Sequence, residues 1–182
     1  MTECALLLVD LQAGFDAPEW GERNNPACEA NASRALAAAR AADWEVIHIR
    51  HHSRSPESPL RRSTAGFAWK PETAPQEGER QLVKRVNSAF IGTGLDAVLD
   101  AAGVTAVTIV GLTTDHCVST TARMAENLGY AVTVIADATA TFDREDPWGE
   151  PMRAAELHAG ALTSLSGEFA TVLATDAWLE GV

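Results

Sequence analysis

Cysteine is scarce in this chain: Cys4, Cys28 and Cys117 are the only three, and no Cys-x-x-Cys occurs. An odd, sparse set of this kind excludes a disulfide framework and the usual zinc-ribbon and thioredoxin-type sites. Basic residues are scarce as well. With 14 Lys+Arg against 25 Asp+Glu, the formal net charge is −11 at pH 7, and the chain lacks the electrostatic footprint that holds a phosphate backbone. Nucleic acid is therefore not an expected partner. No apolar run approaches the roughly 18 residues that a membrane span requires, and Met1 to Asp10 carries no positive leader, so neither a membrane association nor export is expected and the cytoplasm is the expected compartment. Also missing are a Gly-x-Gly-x-x-Gly after the first strand, a Walker A sequence and a His-Glu-x-x-His, which removes the sequence support for dinucleotide, phosphate-loop and zincin chemistry.

What remains is a chain of 182 residues, 46% hydrophobic and 21% charged. Its length suits one domain over residues 1–182, and folding should bury roughly 70% of the unfolded surface, enough for a core without staples. Ala5-Leu6-Leu7-Leu8-Val9 is a continuous apolar run ending at Asp10, the mark of a central parallel strand. The Ala-rich stretch from Ala27 to Ala42 predicts a helix. Further strands are expected at Glu45 to Arg50, Gln81 to Lys84, Ala106 to Val110, Ala131 to Ala136 and Ala170 to Ala174. Helices are expected on Leu95 to Ala102, on Cys117 to Leu128 and along Ala154 to Leu165, while Asp143 to Pro151 reads as a loop. Such alternation predicts an α/β fold, a three-layer, Rossmann-like arrangement with helices on both faces of a mainly parallel six-stranded sheet. The connection from His51 to about Glu79, with four prolines, is too long for an ordinary loop and reads as a functional rim.

In open parallel sheets the ligand crevice lies beyond the carboxyl ends of the strands. Asp10 ends the first strand, Lys84 ends the third, and Cys117 opens the helix after the fourth. Thr113-Thr114-Asp115-His116 supplies a turn and an N-cap before that helix, so the Cys117 sulfur lies where free N–H groups and the helix dipole favour an anion. Asp10 is placed to take the thiol proton, and Lys84 to hold that carboxylate ionised. For each of the three the alternative is an ordinary core, cap or solvated side chain. Their shared edge favours the catalytic reading.

His51 and His52 adjoin a strand end near Asp10, but no specific ligand spacing supports a divalent metal there and Arg50 adds positive charge beside them. No metal and no organic cofactor are expected, with His52 the position at which a metal would bind if one did. His48 reads as an interior histidine. His116, adjacent to Cys117, reads as a structural or pocket residue. Phe15, Trp20, Trp69, Phe90 and Phe142, with Gln12 and His52, complete the candidate pocket wall, and Trp148 is a further loop aromatic. Arg61 and Arg62 either attract an anionic substrate or form a solvated rim.

Three ordered segments carry a resemblance: Leu8-Val9-Asp10-Leu11-Gln12, then Val83-Lys84-Arg85-Val86-Asn87-Ser88-Ala89-Phe90, then Gly111-Leu112-Thr113-Thr114-Asp115-His116-Cys117-Val118. Together with Thr121-Ala122-Arg123, Gly129-Tyr130 and Asp137-Ala138-Thr139-Ala140, they resemble the isochorismatase-like hydrolase superfamily, in its cysteine-hydrolase branch, over nearly the whole chain. The resemblance implies an Asp10, Lys84, Cys117 triad, a cis peptide at Leu112–Thr113, and an oxyanion hole from the N–H groups of Thr113 and Cys117. It also implies cysteine-dependent hydrolysis of a non-peptide C–N bond in a small amide or lactam, and a homo-oligomer, dimer or tetramer. Cys117 argues against the vinyl-ether hydrolases of the superfamily, which generally lack it. Arg50-His51-His52 stands where nicotinamidases carry Asp-x-His, so a metal-assisted nicotinamide site is disfavoured. Trp20 to Pro26, His51-His52-Ser53 and Ser58-Pro59-Leu60 look like the subgroup containing streptothricin hydrolase. The alternatives are a nicotinamidase-like or carbamoyl-amide hydrolase, isochorismate hydrolysis, and a noncatalytic small-molecule binding or interaction protein.

Overall fold

In the computed structural model, residues 3–182 are described. The first apolar run forms β1 (Cys4–Val9), buried from Ala5 onward because it lies at the centre of a six-stranded sheet. The other strands of that sheet are β2 (Glu45–His51), β3 (Arg80–Lys84), β4 (Ala106–Leu112), β5 (Ala131–Ala140) and β8 (Thr171–Leu173). Their order is β3-β2-β1-β4-β5-β8, and every pairing is parallel. The chain winds outward from β1 to β3, returns to the centre and winds the other way from β4. β1 and β4 therefore flank the point where the winding reverses, and there the strand ends leave a crevice.

Period-two alternation divides the core. Leu7 and Val9 of β1 share one face with Ile47, Ile49 and Ile109, covered by α2 (Leu95–Ala102), α3 (Ser119–Asn127) and Leu165 of α4 (Ala154–Leu165). Leu6 and Leu8 share the other face with Val46 and Val110, covered by α1 (Cys28–Ala41) and by Trp178 of α5 (Thr175–Leu179). The expected α/β layering is present. α1 packs through Leu36 and through Ala32, Ala35 and Ala39, whose small side chains admit close approach to the sheet.

Several boundaries depart from expectation. β5 continues past Asp137 because its polar groups find partners: Asp137 Oδ1 accepts from Thr175 N at 2.8 Å and Thr175 Oγ1 at 2.7 Å. Asn25 Nδ2 donates to the carbonyls of Ala136 and Thr139. The acidic loop after Asp143 holds a two-residue antiparallel ladder, β6 (Arg144–Glu145) with β7 (Pro151–Met152). The helix expected to start at Cys117 starts instead at Ser119. A wide turn, Thr114–Val118, precedes it, with Val118 N–H donating to Thr113 O at 3.1 Å. The expected side-chain N-cap is not formed: Thr114 Oγ1 pairs with His158 Nδ1 at 2.8 Å, and Asp115 binds Thr141 Oγ1 at 2.6 Å and Arg144 at 2.8 Å. The turn's polar side chains reach distant neighbours instead of capping the helix that follows.

The long connection forms short helical turns, Ala65–Phe67 packed on the turn at Ala13–Asp16 and Pro71–Thr73 packed on α1. It is tied down by buried Lys70, which pairs with Asp16 and with Glu29 of α1.

Candidate active site

β1 ends at Asp10, whose backbone takes a left-handed turn (φ 55°) that Asp tolerates better than most residues. Its N–H donates to Ile49 O at 2.8 Å, so the carboxylate stays in register with β2. Lys84 is the last residue of β3 and pairs in register with His51 of β2. Cys117 stands in the turn after β4, following a cis peptide at Leu112–Thr113.

These elements bring four side chains together. Lys84 Nζ lies 2.6 Å from Asp10 Oδ2, 3.1 Å from Cys117 Sγ and 3.1 Å from His51 Nδ1. An ammonium has three N–H donors, and all three are engaged. The side chains of Asp10 and Lys84 are fully buried, and Cys117 is 9% exposed. Burial opposes the Lys84 charge, yet Asp10 and Cys117 outweigh it and raise its pKa above the ordinary lysine value. Burial and then the Asp10 charge push the Cys117 thiol up to about 12, against the lowering pull of Lys84. His51 is lowered by burial and by Lys84. It is therefore a neutral ring that accepts at Nδ1 and keeps its proton on Nε2. Asp10 Oδ1 is buried with no hydrogen-bond partner, an acceptor open to a proton.

A cavity of about 150 Å³ opens on this cluster, lined by Asp10, Phe15, Trp20, His51, Leu60, Asn87, Thr113, His116 and Cys117. Of the residues expected in the pocket, Phe15, Trp20 and His116 line it. Phe142 supports the wall from behind, with ring centroids 5.9 Å from Phe15 and 5.6 Å from Trp20. Gln12 is buried and grips the backbone of His51 from both sides, Oε1 accepting its N–H at 2.7 Å and Nε2 donating to its carbonyl at 3.2 Å. It extends the β1–β2 pairing by one rung and holds His51 in place.

Besides Gln12 and Phe142, three of the expected pocket residues do not line the cavity. His52 turns to the rim, where its Nδ1 accepts from Arg62 N–H at 3.3 Å, because β2 runs one residue further than expected and alternation puts His51 on the cavity face. Trp69 lies edge-on to His48 and donates to Gln81. Phe90 stacks on Tyr130 at 6.0 Å, packed against the core layer beneath α2 and α3 rather than facing the cavity. His48 is interior, bonded to Glu79 at 2.9 Å. His51, Leu60 and Asn87 enter the wall without having been singled out as pocket residues. Period-two alternation from Ile47 and Ile49 would have found His51.

Coordinating atoms of Asp10, His51 and Cys117 lie within 4.8 Å of one another. A metal does not fit them, because the Lys84 ammonium already sits among all three and supplies the positive charge. His116 Nε2 instead contacts Arg144 at 2.7 Å, which holds it as a neutral acceptor. Burial lowers the His116 pKa in the same sense.

The isochorismatase domain model matches residues 4–177. The isochorismatase family protein YrdC of Bacillus subtilis (strain 168) is 46% identical over 172 residues, 94% of this chain and 92% of its own length. Streptothricin hydrolase of Streptomyces noursei is 35% identical over 142 residues, 76% of this chain, which spans 50% of that protein. A solved isochorismatase-family structure from Chromobacterium violaceum ATCC 12472 superposes with a TM-score of 0.93 at 42% identity, covering 100% of this chain and 96% of that one. With the family pattern running from β1 into α5 and a buried thiol at the turn after β4, the chain belongs to the isochorismatase-like hydrolases, in their cysteine-hydrolase branch.

Proposed function

We propose that this enzyme hydrolyses a non-peptide C–N bond in a small amide or lactam through a thioester on Cys117. The observation that carries the reading is the Lys84 ammonium within hydrogen-bond distance of both the Asp10 carboxylate and the Cys117 sulfur in a buried site. A thiol pushed up to about 12 is protonated at neutral pH, so its proton must leave as the sulfur attacks. Asp10 is the adjacent base.

The Cys117 sulfur bonds to the carbonyl carbon while its proton passes to Asp10. The carbonyl π electrons move onto oxygen, and the N–H groups of Thr113 and Cys117 receive that charge as an oxyanion hole. Lys84 offsets the negative charge of carboxylate and sulfur throughout. Collapse breaks the C–N bond, and the departing nitrogen takes the proton from Asp10. Water then attacks the thioester as Asp10 accepts its proton. The C–S bond breaks, the acid leaves, and the proton returns to sulfur. His51 keeps Lys84 aimed, and Gln12 keeps His51 aimed.

A cavity of about 150 Å³ is below the size range of drug-like ligands, which supports a small acyl group. The streptothricin hydrolase relative supports hydrolysis of a small molecule. The test is a panel of small amides, lactams, carbamoyl amides and nicotinamide, followed by product mass. Gain of one water across a C–N bond is expected. Failure of every C–N substrate alongside hydrolysis of the vinyl ether of isochorismate would overturn the reading.

A further inference from the structure

The hydrolysis just described leaves one charged feature of the strand-end edge unused. Of the 14 Lys and Arg, seven pair with carboxylates: Arg23, Arg34, Arg40, Lys70, Arg80, Lys84 and Arg144. Among the described residues, Arg50, Arg54, Arg61, Arg62, Arg85, Arg123 and Arg153 have no such partner, and Arg123 is held instead by Ser119 and Ser164. Four of these seven lie between residues 50 and 62, where Glu57 is the lone acid, in a chain whose net charge is −11.

The fold draws them together. His52 N–H donates to Lys84 O at 2.8 Å, Ser53 N–H donates to Leu60 O at 3.3 Å, and Arg62 N–H reaches His52 Nδ1. These bonds set Arg61 and Arg62 beside His52, and Arg85 follows Lys84 directly. The Arg50 guanidinium lies between two rings, 4.4 Å from the Phe67 centroid and 4.5 Å from that of Trp69, and Arg62 lies 5.8 Å from Phe67 on the same ring system. Burial and then Arg85, Arg62 and Arg61 depress the His52 pKa, which marks their proximity. The Nε atoms of Arg50 and Arg61 are buried without a hydrogen-bond partner. Buried unpartnered donors on mutually repelling cations are costly, and an acidic chain has carboxylates to spare for them. Neither of these two guanidinium groups is ion-paired with one.

The cluster meets the catalytic cavity at Leu60, which lines its wall and is followed directly by Arg61 and Arg62, while alternation turns Arg50 and His52 away from the face that His51 presents. We infer that the substrate is anionic: a small amide whose end remote from the scissile bond carries a carboxylate, recognised and steered by the Arg61, Arg62 and Arg85 rim. The inference rests on the hydrolase reading for the bond cleaved and adds the charge of the molecule that presents it. Guanidinium groups suit a carboxylate because they bind it through paired N–H donors. A focused positive edge on an acidic protein also raises the encounter rate of anions with the site.

The test compares alkylation of Cys117 by iodoacetate and by iodoacetamide, read on the Cys117 peptide by mass spectrometry. Each reagent forms an S–CH₂ bond, expels iodide and releases the thiol proton, and the two differ in charge at almost equal size. Substituting Arg61→Gln with Arg62→Gln should lower the iodoacetate rate roughly tenfold, the lower end of the range for focused fields, with the iodoacetamide rate unchanged. Added salt should depress the wild-type iodoacetate rate in the same direction. An unchanged iodoacetate-to-iodoacetamide ratio would overturn the inference. Where the double variant fails to fold, Arg85→Gln on the exposed rim makes the same comparison with a smaller expected change. Alkylation needs no turnover, so its result separates from the hydrolase reading, which the substrate panel and the activity of Cys117→Ala test on their own.

Discussion

Cys117 is held as a thiol by burial and by Asp10, while the Lys84 ammonium 3.1 Å away favours the thiolate. The reaction needs both, a proton to deliver and a cation to stabilise what remains. Replacing Cys117 by Ala should cut C–N hydrolysis by about a thousandfold or more, with the thermal transition of the protein nearly unchanged, checked by steady-state kinetics and calorimetry on one preparation. Lys84→Met should behave differently, since it strands a carboxylate with 0% side-chain exposure. Loss of activity should come with destabilisation of about 3–5 kcal/mol, read as a shift in the urea midpoint. The three reactive residues were legible because each sits at a strand end or just after one, where topology makes a site. His51 was hidden because the predicted β2 stopped at Arg50, and one residue of strand exchanges which neighbouring histidine faces the cavity.

Among the elements, the strand from Ala106 to Leu112 carries the tightest constraint. Gly111 adopts φ 121°, and a Cβ there would stand 1.9 Å from Val9 O in the neighbouring strand. The pairing of β4 with β5 shifts register between Ile109 and Gly111, and the turn bearing Cys117 begins three residues later, at Thr114. Gly111→Ala should therefore destabilise the fold by about 3 kcal/mol or more and lower activity in the fraction that folds, measured by denaturant titration and by kinetics per folded molecule. All six strands and the helices on Leu95–Ala102 and Ala154–Leu165 were readable because hydrophobic period and end signals agree over several residues. The five-residue α5 and the two-residue β6 and β7 were not. They are too short to show a period, and tertiary partners such as Asp137 on Thr175 decide them. The wide turn at Thr114–Val118 was equally hidden, since its anchors, His158, Thr141 and Arg144, lie 26 or more residues away in sequence.

For the molecule as a whole, two carboxylates hold the long connection to the rest of the fold. Burial opposes the charge of Glu29, but hydrogen bonds from Arg23 and Lys70 outweigh it and bring its pKa to about 2. Glu79 reaches about 2 in the same way through Arg40, the Gln76 N–H and His48. Both lie below the ordinary 4.5, so the unfolded chain binds protons first. Their stabilisation is complete above that value and is lost as pH falls from about 5 towards 2. His48, lowered by burial despite Glu79, acts with the same sign at somewhat higher pH. Urea midpoints measured across this window should fall steadily, and Glu29→Gln or Glu79→Gln should flatten the slope while lowering the plateau. The strand order β3-β2-β1-β4 places Lys84, His51, Asp10 and the Cys117 turn on adjacent strand ends. That order could not be read from alternation alone, and it is what converts four residues spread over more than a hundred positions into one site.

The central claim is covalent catalysis by Cys117 with Asp10 and Lys84 beside it. It is tested most directly by acid-quenching the enzyme during turnover of a small amide and weighing the intact protein and its Cys117 peptide. An added acyl mass on that peptide in the wild type, absent in Cys117→Ala, is the predicted result. Turnover by Cys117→Ala at the wild-type rate would contradict it.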